Sequence, residues 1–224
     1  HNLNGVRKMK EEGAARVVLA RETPLSLIKK AVQTGVEIEV FVYGAICISY
    51  SGQCLFSAAT KNRSANRGMC AQCCRLQYFK PDGSHFPQGD YILSPKDLNV
   101  IDELPKLLSA GVASLKIEGR MKKPEYAAGV TTFYRKYIDR YYKCKEEGKK
   151  DTYHVEVHDL EQLNALYIRS ERSEGYYHQH NGRNMITLSS PSYSGNDDVL
   201  IDRIRSRFLS QKKILPVTLN ASFH

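Results

Sequence analysis

Apolar positions along the first half of the chain alternate between a helical and an extended spacing. Leu3, Val6 and Met9 place apolar groups on one side of a helix that ends near Gly13. Arg16 to Ala20 (RVVLA) is a short, nearly continuous apolar run, the pattern of a strand buried on both faces. Glu22-Thr23-Pro24 then opens a helix, with Thr23 as its cap and Pro24 at its first position. Leu27, Ile28, Ala31 and Val32 form the buried stripe, Gly35 stops it, and Val36 to Val42 is the next strand. Strand, helix, strand with short loops predicts parallel pairing and an α/β architecture.

The pattern continues after a long cysteine-containing stretch. Gln77-Tyr78-Phe79, the turn Pro81-Asp82-Gly83-Ser84 and Asp90 to Leu93 predict a β-hairpin insertion. Ser94-Pro95 opens a helix with Leu98, Ile101, Leu104, Leu107 and Leu108 on one face, bent midway by Pro105 and closed by Gly111. Val112 to Ile117 is a third strand, and Glu125 to Glu147 the longest helix. Its stripe of Tyr126, Val130, Phe133, Tyr134, Tyr137 and Tyr141 reads as core rather than as a platform for stacking bases. Lys145 to Asp151 is charged and solvated and makes the best internal boundary, separating 1–147 from a linker and C-terminal extension at 148–224. Beyond it come a short helix near Leu160 to Ile168, a loop carrying His178 and His180, and a basic helix capped from Pro191 to Asp197 and running to about Leu209. Pro216 to His224 reads as a strand just beginning, so the sequence is expected to be a piece of a longer protein.

Composition narrows the partners. The 224 residues carry 33 Lys and Arg against 24 Asp and Glu, a net charge of +9, with 42% hydrophobic residues. That is enough for a substantial core, and the cationic balance favours polyanions, nucleic acid above all. No apolar run approaches the length of a membrane span, and no secretory signal is visible, so a cytoplasmic protein is expected. The oligomeric state is left open.

Five of the 6 cysteines fall between Glu39 and Arg75, at 47, 54, 70, 73 and 74. Three readings compete for them. Free cysteines are often small buried hydrophobes, which suits Cys47 in its apolar run but not Cys70-Ala-Gln-Cys73-Cys74. A disulfide framework belongs to short secreted chains. The third is a thiolate site for zinc or an iron–sulfur cluster. Zinc motifs open on a tighter first pair than Cys47 and Cys54, which turns the spacing toward iron–sulfur. Cys144, among lysines far along the chain, is a bystander.

The same stretch carries a family resemblance. Glu39-Val-Phe41-Val-Tyr43-Gly44-Ala45-Ile-Cys47 with Ser51-Gly52-Gln-Cys54, then Ala65-Asn66-Arg67-Gly68-Met-Cys70 ending in Cys74-Arg75, resembles the collagenase-like U-thirty-two peptidases. Ser94-Pro95-Lys96-Asp97-Leu98 and Ser114 to Lys122 (SLKIEGRMK) are similar to two further blocks of that family. The resemblance implies a partial TIM-like (β/α) barrel with a cysteine-rich loop, following a barrel half that this sequence lacks. It also implies one of two activities: proteolysis, or oxygen-independent hydroxylation of RNA bases with cysteine-bound iron–sulfur clusters. The family usually has His where this chain has Tyr43, and no Ser/His or Cys/His pairing is recognisable, so a protease mechanism has no visible base.

The reading carried forward is hydroxylation of a base in transfer or ribosomal RNA, with a collagenase-like peptidase and a structural cluster scaffold as alternatives. Cys47, Cys54, Cys70 and Cys74 are expected to converge on one four-iron, four-sulfur cluster, zinc being the alternative, with Cys73 facing away from it. Arg67 and Arg75 flank the second cysteine group, and Arg120 with Glu118 ends the third strand. Together they are expected to form a mouth for an RNA backbone or a small carboxylate hydroxyl donor. The plainer reading pairs these arginines with local carboxylates, Glu118 and Asp97.

Overall fold

The computed structural model describes residues 2–119, 122–149, 152–166, 171–180, 182–191 and 197–210. Arg120, residues 167 and 168 of the expected helix at 160–168, and the expected strand at 216–224 lie outside the described residues. Helix α1 (Leu3–Glu11) comes first, capped by Asn2, whose side-chain oxygen accepts the Gly5 N–H at 2.9 Å. Strand β1 (Arg16–Val18), helix α2 (Leu25–Val32) and strand β2 (Glu37–Gly44) form a βαβ unit in which Val17 pairs with Ile38 in parallel register. Thr23 does not cap α2. Its N–H closes a turn onto the Ala20 carbonyl at 3.1 Å, and the helix begins after Pro24.

Helix α3 (Phe56–Lys61) lies in the long segment after β2, followed by strand β3 (Asp97–Asn99), helix α4 (Leu104–Ala110), strand β4 (Ser114–Ile117) and helix α5 (Pro124–Glu146). Helix α6 (Val157–Asn164), the short strand β5 (Arg172–Ser173) and helix α7 (Asp198–Ile204), which continues as a π-helical turn over Arg205–Leu209, come last. Asp197 caps α7 as the sequence predicts, its Oδ1 accepting the Leu200 N–H at 3.0 Å.

Strand β2 is the centre of the sheet. β4 runs parallel along one edge, from Glu39 with Ser114 to Tyr43 with Ile117. β1 takes the opposite edge at Glu37 to Glu39, and β3 takes that edge further on, antiparallel, at Tyr43 and Gly44. The three strands read from the sequence are therefore parallel. The sheet is not closed, however, and antiparallel β3 breaks the all-parallel order of a (β/α) barrel. The fold is α/β with a parallel-rich mixed sheet.

Two expectations on either side of β3 are corrected. Residues 94–111 do not form one helix: 97–99 become β3, a 3-10 turn covers Ile101–Glu103, and only then does α4 start. The end of β2 offers an open ladder edge that these residues fill, the Val100 N–H donating to the Val42 carbonyl at 3.1 Å. Tertiary pairing overrides the helical spacing, and Pro105 sits in the first turn of α4 instead of bending it. The hairpin expected at 77–93 contains no strand among the described residues. Its arms share the Tyr78 N–H to Asp90 carbonyl bond at 3.0 Å, but the second arm is drawn toward residues 185–188. There the Lys96 N–H donates to the Met185 carbonyl and the Thr187 N–H to the Ser94 carbonyl, both at 2.8 Å.

Helix α5 buries its aromatic stripe, as predicted, with Tyr126, Tyr134 and Tyr137 almost wholly enclosed. The Tyr134 hydroxyl donates to the Val42 carbonyl at 2.7 Å and that of Tyr137 to Asp159 Oδ2 at 2.6 Å. Gly129 lets neighbouring elements close on α5: a Cβ there would fall 2.7 Å from side-chain carbons of both Ile204 and Leu166. One hydrophobic core results, joining Ile38, Val40 and Val42 of β2 to Leu163 and Ile204 from beyond residue 148.

Candidate functional site

The parallel strands β1, β2 and β4 all deliver their C-terminal ends to one side of the sheet, and the segments that follow them enclose a cavity of about 440 Å³. Gly44 makes the close approach possible. Its backbone has φ +109°, and a Cβ there would lie 2.3 Å from the Glu118 carbonyl oxygen. The Tyr126 hydroxyl, donating to that same carbonyl at 2.6 Å, fixes the exit of β4 beside the exit of β2.

The loop after β2 is held by its own small polar residues. Buried Ser57 accepts the Ala71 N–H at 3.0 Å and donates toward the Cys70 sulfur at 3.9 Å. Gln72, held in the left-handed region at φ 55°, turns its own N–H onto the Cys70 sulfur at 3.3 Å. Asn66 Nδ2 donates to the Gly52 carbonyl at 3.0 Å, and Glu22 receives both the N–H and the hydroxyl of Ser51 at 3.0 and 2.9 Å. The segment after β1 thus anchors the tip of the segment after β2.

Cys47, Cys54, Cys70 and Cys74 all line the cavity. Cys73 is buried elsewhere, its sulfur 3.0 Å from Thr60 Oγ1, and Cys144 lies far along α5 near Thr152. All six cysteines are free thiols. Burial pushes the Cys47 thiol up, with Arg21 acting against it, and burial likewise raises Cys74 against the pull of Arg75. Among the described residues no three His, Cys, Asp or Glu side chains are gathered tightly enough to hold a single metal ion. The four cysteines stand around the cavity rather than meeting at a point.

The basic residues take different parts from those expected. Arg75 is buried and donates to Ser94 Oγ and the Ile46 carbonyl, both at 3.0 Å, and to the Pro95 carbonyl, so its guanidinium ties three segments of the cavity wall together. Arg67 is exposed and does not line the cavity, whereas Arg63 does. Asn62, in the left-handed region at φ 49°, ends α3 just before Arg63. Glu118 lines the cavity but pairs with Arg21, Nη2 to Oε2 at 2.7 Å. Arg21 was missed in the sequence, although the signal that singled out Glu118, a charged residue just past a strand, applied equally to it.

Tyr43 is not at the cavity. An extra residue in β2 between Phe41 and Tyr43 shifts the register against β4, pairing Phe41 with Lys116 but Tyr43 with Ile117. Tyr43 is thereby turned to the helix face, where burial pushes its hydroxyl well above the usual tyrosine range. The position the resemblance associates with histidine is in the core of this chain.

The chain is 45% identical over 149 residues to the tRNA hydroxylation protein P1 of Bacillus subtilis, covering 62% of this chain and 35% of the relative. It is 43% identical over 134 residues to a 23S rRNA 5-hydroxycytidine synthase of Escherichia coli, covering 58% and 20% respectively. A collagenase of Porphyromonas gingivalis is 42% identical over 144 residues, covering 63% and 38%. The chain therefore spans about a third or less of the first two relatives' length. No solved structure matches it significantly. The model of peptidase family U32 matches residues 1–187, a span that takes in every segment walling the cysteine cavity, and the chain belongs to that family.

Proposed function

We propose that this chain forms part of an enzyme that hydroxylates a base in transfer or ribosomal RNA without molecular oxygen, around an iron–sulfur cluster held by Cys47, Cys54, Cys70 and Cys74. The observation that carries the reading is the gathering of these four cysteines on one cavity while Cys73 and Cys144 lie outside it. Thiolates bind soft metal centres, and the donor set fits a group with several metal atoms of its own. A single tetrahedral zinc, with Zn–S near 2.3 Å, needs its ligands closer together than any trio among the described residues. When bound, such a cluster supplies electron transfer or a Lewis-acidic iron at the cavity. The chain supplies the walls: Arg21, Arg63, Arg75 and Lys122 against Glu118 make them cationic and suit a phosphate or a small carboxylate donor.

Two relatives named for tRNA and 23S rRNA hydroxylation support RNA as the substrate, and the net charge of +9 supports a polyanion. A cytoplasmic site of action, where thiols stay reduced, suits six free cysteines, and no helix among the described residues is long and apolar enough to cross a membrane.

The collagenase-named relative favours a second reading, proteolysis. A cysteine nucleophile needs an adjacent base, and no histidine lines this cavity among the described residues. The deciding experiment combines the visible spectrum with iron and acid-labile sulfide analysis of anaerobically purified protein, then nucleoside mass spectrometry of RNA from cells with and without the gene. Stoichiometric iron and a missing hydroxylated nucleoside are expected. Iron-free protein that cleaves a collagen-like peptide with unchanged RNA would establish the peptidase.

A further inference from the structure

Arg21 contributes more to the cavity wall than its charge. Its guanidinium forks, with Nη2 on Glu118 Oε2 at 2.7 Å and Nη1 toward the Cys47 sulfur at 3.7 Å. Its guanidinium carbon lies over the Phe41 ring, 4.5 Å from the ring centre. Three parts of the fold therefore set its position: β2 through Phe41, the segment after β4 through Glu118, and the turn after β1 that carries Arg21 itself. Its Nε is buried without a hydrogen-bond partner among the described residues, so the side chain is oriented by what its two Nη groups reach and not by satisfaction of all its donors. The Arg21 and Glu118 side chains are 22% and 26% exposed, so their ion pair is partly shielded from water, whereas Cys47 itself is exposed.

Donors aimed at sulfur recur in this wall. Cys70 receives the Gln72 N–H at 3.3 Å and the Ser57 hydroxyl at 3.9 Å, both neutral. Arg21 adds a charged donor at Cys47. Arg75, the buried guanidinium of the wall, is engaged with Ser94, Pro95 and Ile46 and serves the framework.

We propose that Arg21 is a positioning residue that holds the Cys47 sulfur by a charged hydrogen bond and raises the reduction potential of the cluster bound there. This rests on the cluster reading given above. The physical reason is charge: one-electron reduction adds a negative charge to a thiolate-ligated cluster, and a fixed cation donating to one of its sulfurs stabilises the reduced form more than the oxidised form. Hydrogen bonds to the sulfurs and local net charge are among the main determinants of such potentials. Arginine suits the position where lysine does not, because a planar fork can serve a carboxylate and a sulfur together, whereas an ammonium is a point charge.

The test uses Arg21→Gln and Arg21→Lys in anaerobically purified protein, with iron and sulfide content measured beside an electron-paramagnetic-resonance redox titration. Both variants should retain iron and titrate at lower potential, Gln further than Lys. For Gln the oxidised-to-reduced ratio at the wild-type midpoint should rise roughly tenfold, which is about 59 mV for one electron. If both variants hold iron and keep the wild-type midpoint, Arg21 does not set the potential. Loss of iron from both, with the remaining clusters titrating as wild type, would make Arg21 structural support and likewise overturn the proposal. Wild-type protein without iron and sulfide would overturn the cluster reading itself, an outcome read before any variant is made.

Discussion

The hydroxyl of Tyr43 donates a 2.7 Å hydrogen bond to the carbonyl of Leu163, 120 residues further along the chain. The bond joins the end of the central strand to α6, across the charged segment that marked the best internal boundary in the sequence. Tyr43→Phe keeps the ring contacts with Tyr126 and Tyr134 and removes only the hydroxyl. Thermal unfolding should show a loss of about 1 kcal/mol, with more if the carbonyl finds no other donor. Iron content should not change, because the residue is not at the cavity.

Gly44→Ala should do far more damage than its single methyl suggests. The new Cβ would fall 2.3 Å from the Glu118 carbonyl oxygen at a backbone φ of +109°. The strain amounts to about 2 kcal/mol or more, and it separates the exits of β2 and β4 that wall the cavity. Chemical denaturation and iron content should fall together in this variant, in contrast to Tyr43→Phe.

The cysteines divide into two groups by position. Serine at Cys47, Cys54, Cys70 or Cys74 should abolish or sharply reduce iron and sulfide binding. Serine at Cys144 should leave both at the wild-type level. Cys73→Ser should cost stability through its buried site but retain iron in the folded fraction. Iron analysis of the six single variants, normalised to folded protein, checks the assignment.

Arg63 lines the cavity and is the better candidate for a phosphate contact than exposed Arg67. Arg63→Ala should weaken RNA binding evenly across sequences and make the slope of log affinity against log salt shallower by about 1. Filter binding at several salt concentrations measures it. An unchanged slope would remove Arg63 from the RNA path.

Acid stability should report on Asp159. Burial pushes its carboxyl up, but hydrogen bonds from Lys136 and Tyr137, with the Lys136 charge, outweigh that and hold it below the usual aspartate range. A carboxyl depressed in the folded state contributes stability that is complete above its unfolded pKa, about 3.9, and is lost as pH falls through the folded value. Thermal melts should therefore show wild type losing stability through this window. Asp159→Asn should be less stable at neutral pH and flatter below pH ~4.

The sequence by itself determined the elements whose pattern is local. The βαβ unit, the strand at 114–117 and the aromatic stripe of α5 were legible because burial of one face repeats at a fixed spacing. The order of strand and helix, with the handedness of crossovers, then left parallel pairing as the natural arrangement. The cysteine set was legible because thiol clustering is a chemical signal that needs no geometry to be noticed. Tertiary structure alone decided the rest. Residues 97–99 follow a helical spacing yet become a strand, because β2 presents an unfilled ladder edge only in the folded sheet. Tyr43 leaves the site because of one extra residue in β2, a register shift that hydrophobic patterning does not encode. Arg21 and Glu118 lie 97 positions apart, and their pairing depends on β1 and β4, on opposite edges of β2, running parallel and ending at the same end of the sheet. Long-range pairs of this kind are fixed by which strands become neighbours, and that choice is made by the whole core at once.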